Sequence, residues 1–547
     1  MSAAELEVLS IGPPRLTAGL SQMRRLDLTA SQTVFWNVPE LTADELISMA
    51  AQVDLRGRGG AAFPVADKLA AVQHAVRQRK RKPMVVINAV ENEPGSAKDR
   101  MLLLRSPYLV LAGALSAARA LRARLILVGT ADALVARSVT EAAAAHPGLA
   151  RMVRVMEVPD RFVSGESGAL ISALNGRKPL PPLRRNHASN RGIGGRPTLL
   201  CNAETFAQLA VLAMLGPDGY ATTGDPAEPG TVLLTVSGAV ARPAVVEVPS
   251  GWPLGDVLDL CGAQASDGVL VGGNHGSWLP AETAYEVPVS RAGLTAFGGT
   301  LGPGAVAVLD QGSCPLGEVA RAVAYLAKES AGQCGPCKLG LPGLARSMAA
   351  LANGSGGGDA LDLAIRGALA VRDRGACAHP DGVTRFVLSA LAVFADDLTL
   401  HVFRRGCGRP VSNVLPLPSV PGEARLAIDR TRCRGHGLCA QVVPELVQLD
   451  GQGYPIMLDM PVPPWLEHHA WRAVGMCPDL ALRLVPADPA DPADPAGWGA
   501  VAGPPREPGP VLSVGRGAAA DTTTPDLVVS EDWIAEISSV RAIPPPR

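Results

Sequence analysis

The chain has 547 residues, 47% hydrophobic and 18% charged, which is enough for about three to four domains at ~150 residues each and excludes global disorder. Fifty lysines and arginines against 51 acids leave a net charge of −1, so no basic excess points to nucleic acid as a partner. No uncharged apolar run reaches the ~18 residues of a membrane span, and the opening MSAAELEVLSIGPPRL lacks the basic start and apolar stretch of a signal peptide; a cytoplasmic protein is expected. Ten cysteines are too sparse for a disulfide scaffold in a chain of this length. Several of them sit at close spacing in the C-terminal half, where they read as metal or redox sites.

Residues 41–53 (LTADELISMAAQV) predict a helix with Thr42 as N-cap and Glu45 closing a capping box. A glycine-rich turn, LRGRGGAAFP at 55–64, follows at once. Strands are expected at 84–90, 124–129 and 151–158, alternating with helices at 108–123 and 131–145. That alternation predicts a mainly parallel sheet covered by helices. From about Pro229 short strands with glycine turns suggest a small β-grasp-like domain, broken by one helical stretch (LGDVLDLCG). Residues 316–400 read as helical and rich in alanine and leucine. The proline-rich 409–424 reads as a connector, 425–486 as a compact segment with strand-like ends, and 487–547, with its three Ala-Asp-Pro copies, as a disordered tail.

Chemistry concentrates in a few places. In the turn, Gly57, Gly59 and Gly60 stand beside Arg56 and Arg58, with Lys68 further on; glycines let backbone N–H groups approach a phosphate and cations neutralise it. A plain tight turn fits the same residues. Asn88, Glu91 and Glu93 follow a predicted parallel strand, at the end where open α/β sheets bind ligands, and a solvated acidic loop is the alternative there. RGRGGAAFP, then NAVENEPGSAKDR, then FVSGESGALISALNGR, then GRPTLLCNAETFAQL together resemble the flavoprotein subunit of complex I, a family that includes the flavin subunits of NAD-dependent hydrogenases and formate dehydrogenases.

The resemblance spans roughly residues 40–400 and implies FMN held by Gly57, Gly59, Lys68, Asn88, Glu91, Glu166 and Asn202, with Phe63 and Glu93 at the reacting face. It implies hydride transfer from NADH or NADPH, then single electrons passed to an iron–sulfur cluster. SAGQCGPCKLG and RGACAHPDG resemble the family's cluster motif, with Cys334, Cys337 and Cys377 as ligands but Ala331 where the family has its first cysteine. A 3Fe-4S cluster, a 4Fe-4S cluster with another ligand, or three buried free thiols all remain open. The chain departs from the family again at Ala71, Val90, Ser167, Leu180 and Leu183, positions that mostly serve NADH there. An electron-relay or assembly subunit without nicotinamide binding is therefore the alternative.

DRTRCRGHGLCAQVVPEL with GMCPDLAL downstream resembles the single-cluster ferredoxins of actinobacteria, many of which serve cytochromes P450. That resemblance implies one 3Fe-4S or 4Fe-4S cluster on Cys433, Cys439 and Cys477, with His436 in place of a middle cysteine; a structural zinc site competes. The implied partner is a cytochrome P450 or other oxygenase. The expected fold is an α/β FMN-binding domain (1–228), a β-grasp, SLBB-like insert (229–310) and a helical-bundle iron–sulfur domain (311–408). A linker (409–424), an α+β ferredoxin-like domain (425–486) and the tail (487–547) complete it. Cys201 stands where the family has an asparagine near FMN. Cys261, Cys314 and Cys407 show no ligand spacing and read as packing or incidental surface thiols, and His187, His275, His401, His468 and His469 show no metal-binding pairing.

Overall fold

The computed structural model describes residues 6–35, 38–183, 187–418, 424–457, 462 and 466–486; the tail expected to be disordered lies outside the described residues. The chain divides into two units, 1–418 and 419–547.

In the first unit, helix α1 (Ala43–Gln52) opens on the expected capping box: the Glu45 carboxylate accepts the Thr42 N–H at 2.8 Å, and the Thr42 hydroxyl accepts the Glu45 N–H at 3.3 Å. After α2 (Val65–Arg79) come β1 (Met84–Asn88), α3 (Lys98–Arg105), α4 (Pro107–Ala120) and β2 (Ile126–Thr130). α5 (Ala133–Ala145), β3 (Val153–Glu157), α6 (Ser167–Leu174), β4 (Thr198–Asn202) and α7 (Ala203–Tyr220) follow. The four strands form one parallel sheet in the order β3-β2-β1-β4. β1 is central, and its Val85, Val86 and Ile87 are wholly buried, as a strand covered on both faces requires. Its last residue, Asn88, pairs with Gly129 on one side and Asn202 on the other, so the strand ends line up along one edge. Helices α4 and α7 pack closely because Gly113 has no side chain: a Cβ there would lie 1.9 Å from the Phe206 carbonyl oxygen.

A second, mixed sheet contains β5 (Thr231–Gly238), β6 (Ala244–Pro249), β7 (Gly268–Val271), β8 (Ser277–Pro280) and β9 (Ala305–Val308), with helix α8 (Leu254–Leu260) between β6 and β7. Its sixth strand is N-terminal: Glu7–Ser10 runs parallel to β6. The buried carboxylate of Glu247 explains this, since it accepts the N–H groups of Arg15, Leu16 and Thr17 and the hydroxyls of Thr17 and Thr231. A helical block follows: α9 (Pro315–Lys328), α10 (Leu341–Ala352), α11 (Gly357–Val371), α12 (His379–Val393) and α13 (Ala395–Arg404), with a π-turn at Pro336–Gly340. The start of the proline-rich stretch is packed rather than free, because buried Glu318 accepts the N–H groups of Val414 and Leu415. Among the described residues no single helix is long and apolar enough to cross a membrane.

The second unit has β10 (Ala424–Ile428), α14 (Leu438–Val442), a hairpin of β11 (Val447–Leu449) and β12 (Pro455–Met457), α15 (Glu467–Met476) and β13 (Leu482–Pro486). Its strand-like ends, β10 and β13, pair antiparallel.

A buried charge network joins the parallel sheet to the second sheet. The Lys98 ammonium lies 2.9 Å from Glu204 and 3.2 Å from Asp99, and Arg58 lies 3.9 Å from Glu204 and 3.8 Å from Glu228. Burial alone would pull Lys98 down, but Asp99, Glu204 and Glu91 outweigh it and hold the ammonium above the ordinary lysine range. Removing one partner strands buried charge of the other sign, at about 3–5 kcal/mol. Lys98→Met is therefore expected to lower unfolding free energy by about that amount, measured by denaturant titration; a change below about 1 kcal/mol would contradict the network's role.

Candidate functional site

The site grows from the aligned strand ends. The hairpin after α1 closes by the Gly57 N–H donating to the Phe63 carbonyl at 3.0 Å, and it is anchored by the Arg58 N–H donating to the Thr205 hydroxyl at 2.9 Å. Gly59 and Gly60 are exposed, and their N–H groups meet no acceptor among the described residues. Of the three cations expected beside them, two are already engaged. Arg56 pairs with Asp54 at 2.7 Å, and Arg58 is buried against Glu204 and Glu228. Lys68 alone keeps its charge available: it donates to the Leu200 carbonyl at 3.2 Å and has no carboxylate partner among the described residues. Its Nζ sits 3.9 Å from where a Gly57 side chain would begin. Open amides beside a half-buried ammonium suit a phosphate group, so the residues present fit FMN.

The other expected cradle residues are engaged by their own chain. Glu91 accepts from Ser96 Oγ at 2.6 Å and from the Asp99 and Arg100 N–H groups at 3.0 and 2.7 Å, capping α3; burial, then the Asp99 charge, push its carboxyl up. Glu166 caps α6 by accepting the Ala169 N–H at 2.8 Å. Asn202 caps α7 at Thr205 and donates to Asp99, and Asn88 donates to the Gly165 carbonyl at 2.9 Å. These side chains order three helix N-termini along the strand ends, where positive helix ends favour an anion. Asp99 and Thr205, which lie inside the family-like motifs but were not among the expected site residues, hold Asn202 and the hairpin in place.

Glu93 faces the second sheet: its carboxylate accepts the Asn274 N–H at 3.0 Å, and a side chain on Gly273 would reach 2.5 Å from its carboxyl carbon. Burial pushes that carboxyl up to about 7. Phe63, at the end of the hairpin, is 49% exposed. Of the departures from the family pattern, Ala71, Ser167 and Leu183 are exposed and Val90 is buried.

Loop 161–166 carries the cleft to the helical block. The Phe162 N–H donates to Glu329 at 3.0 Å, Arg161 lies 3.6 Å from Glu329, and Gln333 donates to the Pro181 carbonyl at 2.8 Å. Across this seam Cys334 and Cys337 lie close enough to act on each other's thiols, and Cys377 lies within electrostatic reach of both and of Glu166. Three thiols brought together suit an iron–sulfur cluster. Beside them, His275 and His379 hydrogen-bond at 2.9 Å, and His379 Nε2 reaches the Leu326 carbonyl. Burial pushes both histidines down.

In the second unit Cys433, Cys439, Cys477, His436 and Asp479 line one open cavity. His436 Nε2 lies 3.2 Å from the Asp479 carboxylate, and the Ala481 N–H donates to Cys477 Sγ at 3.3 Å. Three thiols around one cavity suit a cluster there too. Cys201 and Cys261 are buried in the core. Cys314, His401 and Cys407, which sequence spacing leaves unconnected, converge in the structure; helix and loop geometry, not proximity in the chain, joins them.

Residues 50–211 match the family model of the Nuo51 FMN-binding domain, 233–273 the SLBB domain, 317–401 the NADH-ubiquinone oxidoreductase-F iron-sulfur binding region and 426–484 a 4Fe-4S single cluster domain. The F subunit of NADH-quinone oxidoreductase in Mycobacterium tuberculosis is 30% identical over 387 residues, 66% of this chain and 86% of that protein. Its Streptomyces coelicolor counterpart is 30% identical over 417 residues, 72% of this chain and 89% of that protein. Among solved structures, an NAD+-reducing [NiFe]-hydrogenase in the air-oxidised state aligns with a TM-score of 0.64 at 28% identity, covering 73% of this chain and 68% of that one. Lys68→Ala is expected to weaken FMN binding about 10- to 100-fold, the worth of a charge-assisted hydrogen bond, measured by flavin fluorescence on reconstitution; unchanged affinity would remove Lys68 from the phosphate site.

Proposed function

The chain belongs to the family of the NADH-quinone oxidoreductase F subunits, and from that premise we propose how its own residues divide the work. The protein is an oxidoreductase that carries electrons from NADH through FMN to iron–sulfur clusters and the fused ferredoxin domain. FMN, when bound, accepts a hydride and releases electrons one at a time. Gly59, Gly60 and Lys68 bind its phosphate, while Glu91, Glu166 and Asn202 keep helix N-termini directed at the cleft. Glu93 and Phe63 meet the nicotinamide dinucleotide. Cys334, Cys337 and Cys377 hold the first cluster, and Cys433, Cys439 and Cys477 the second.

The observation that carries this reading is loop 161–166, which touches Asn88 on the flavin side and Glu329 beside the cysteine trio on the other. One short segment thus contacts both stations. We divide the chain as the sequence suggests, into an FMN domain, an SLBB-like insert, a helical iron–sulfur domain and a ferredoxin domain. Tethering the last to the donor raises its effective concentration. The fused single-cluster domain supports delivery to a separate acceptor protein such as a cytochrome P450 or other oxygenase. The ten unbridged cysteines support a reducing, cytoplasmic setting. The second cluster, 3Fe-4S or 4Fe-4S, is held by the thiolates of Cys433, Cys439 and Cys477, with His436 paired to Asp479 beside them.

Anaerobic NADH is expected to bleach the flavin band of the wild-type protein. Cys377→Ser should keep the bleaching, lose the iron of one cluster and slow reduction of the ferredoxin domain at least about tenfold; a flavin that does not respond to NADH would overturn the reading. A second expectation concerns pH. Glu93 is neutral below about 7 on the folded protein and does not then repel the pyrophosphate of NADH. Affinity for NADH should be tighter on the acid side, fall several-fold as pH rises through 7, and lose this inflection in Glu93→Gln. The same raised carboxyl contributes stability fully present below the ordinary glutamate value and lost as pH rises through 7.

A further inference from the structure

Cys314, His401 and Cys407 come from three places that bracket the helical block. Cys314 is the N-cap of α9, where its sulfur accepts the Gly317 N–H at 3.3 Å. His401 lies in the last turn of α13. Cys407 follows a reversal in which Arg405 (φ 64°) and Gly406 (φ 148°) turn the chain back, and the Cys314 N–H closes this return by donating to the Pro410 carbonyl. Cys314 and His401 are 2% and 3% exposed, and Cys407 is partly open to solvent. A serine would cap α9 as well as this cysteine does, so the helix end alone does not account for sulfur here.

The three donor atoms lie within 4.8 Å of one another, with Cys314 Sγ 3.4 Å from His401 Nε2. In a tetrahedral zinc site with Zn–S about 2.3 Å and Zn–N about 2.0–2.1 Å, a sulfur and a nitrogen stand about 3.6 Å apart and two sulfurs about 3.8 Å. The orientation of the ring is also set. His401 Nδ1 is 3.0 Å from the Leu351 carbonyl, which can only accept, so Nδ1 carries a proton and Nε2 turns its lone pair toward the sulfurs. That is the outer-sphere arrangement of a metal-ligating imidazole. Arg409, two residues after Cys407, is itself fixed, its guanidinium held by Asp267 and Asp397.

We infer that Cys314, His401 and Cys407 bind one zinc ion, with water in the fourth position, separate from both iron–sulfur sites. The ion clips the first helix of the block to its last, and fixes the point where the chain leaves the block. It has no part in electron transfer, because zinc does not change oxidation state.

The test is metal analysis of the full chain purified anaerobically. About one zinc per chain is expected in addition to iron, with zinc-edge X-ray absorption fitting two sulfurs at about 2.3 Å and nitrogen or oxygen at about 2.0–2.1 Å. His401→Ala and Cys407→Ser should each reduce zinc at least about fivefold while FMN and iron contents stay unchanged. Protein that lacks zinc and takes up none from added zinc sulfate would overturn the inference. So would a Cys314–Cys407 disulfide found by peptide mapping, or zinc retained in Cys407→Ser with a three-sulfur signature, which would put it on one of the two three-cysteine sets. The absorption spectrum of the wild-type protein decides the matter even if a variant fails to fold.

Discussion

A buried ammonium needs carboxylates around it, and at Lys98 that need organises the flavin cleft. Asp99 comes from the same helix, Glu204 from the start of α7, and Glu91 from the loop after β1. Arg58 reaches Glu204 from the glycine hairpin and Glu228 from the approach to the second sheet. None of these groups is stable in the interior alone. Together they force the hairpin, two helix N-termini and the edge of the second sheet into one arrangement. The Glu204 carboxylate also accepts the Leu233 N–H of β5, so the same charges register one sheet against the other.

That arrangement has an electrostatic consequence. Glu91, Glu166 and Asn202 cap helices, and each cap leaves a helix N-terminus fixed beside the strand ends. The cations nearest the hairpin are neutralised by their own chain, with the exception of Lys68. Among the described residues the hairpin is left with one available ammonium and two open amides rather than a broadly basic surface, in keeping with a chain of net charge −1. The cleft is thus defined as much by which charges are already paired as by which are not.

The cysteines separate into groups with different physical fates. Cys201 and Cys261 are buried among apolar neighbours, where a thiol acts as a small hydrophobe. Cys334, Cys337 and Cys377 gather where the flavin loop meets the helical block, and Cys433, Cys439 and Cys477 around one cavity of the second unit. Cys314 and Cys407 meet at His401. Close spacing set Cys334 beside Cys337 and Cys433 near Cys439 in the sequence, because a turn of helix or loop brings such neighbours together by itself, whereas Cys377 and Cys477 come from far downstream. Cys314 and Cys407 gave no such signal, since only the packing of α9 against α13 joins them.

Local chemistry was readable directly. The Thr42–Glu45 capping box, the β1 run and its strand-end Asn88, the glycine turn and the two cysteine motifs depend on a few consecutive residues whose backbone preferences and hydrogen bonds act at short range. The resemblance of those motifs extended the reading to FMN and clusters. Charge pairing was not readable: Arg58 looked like a phosphate ligand and is an internal counter-ion, and Lys98, Asp99 and Glu204 lie inside the family-like motifs without any local sign that they pair with one another. The sequence alone determined which elements form and which chemistry they carry, because those follow from local pattern. The tertiary structure alone decided which cation remains available, which strand completes the second sheet and which distant thiols meet, because desolvation and pairing act between groups that only the fold brings together.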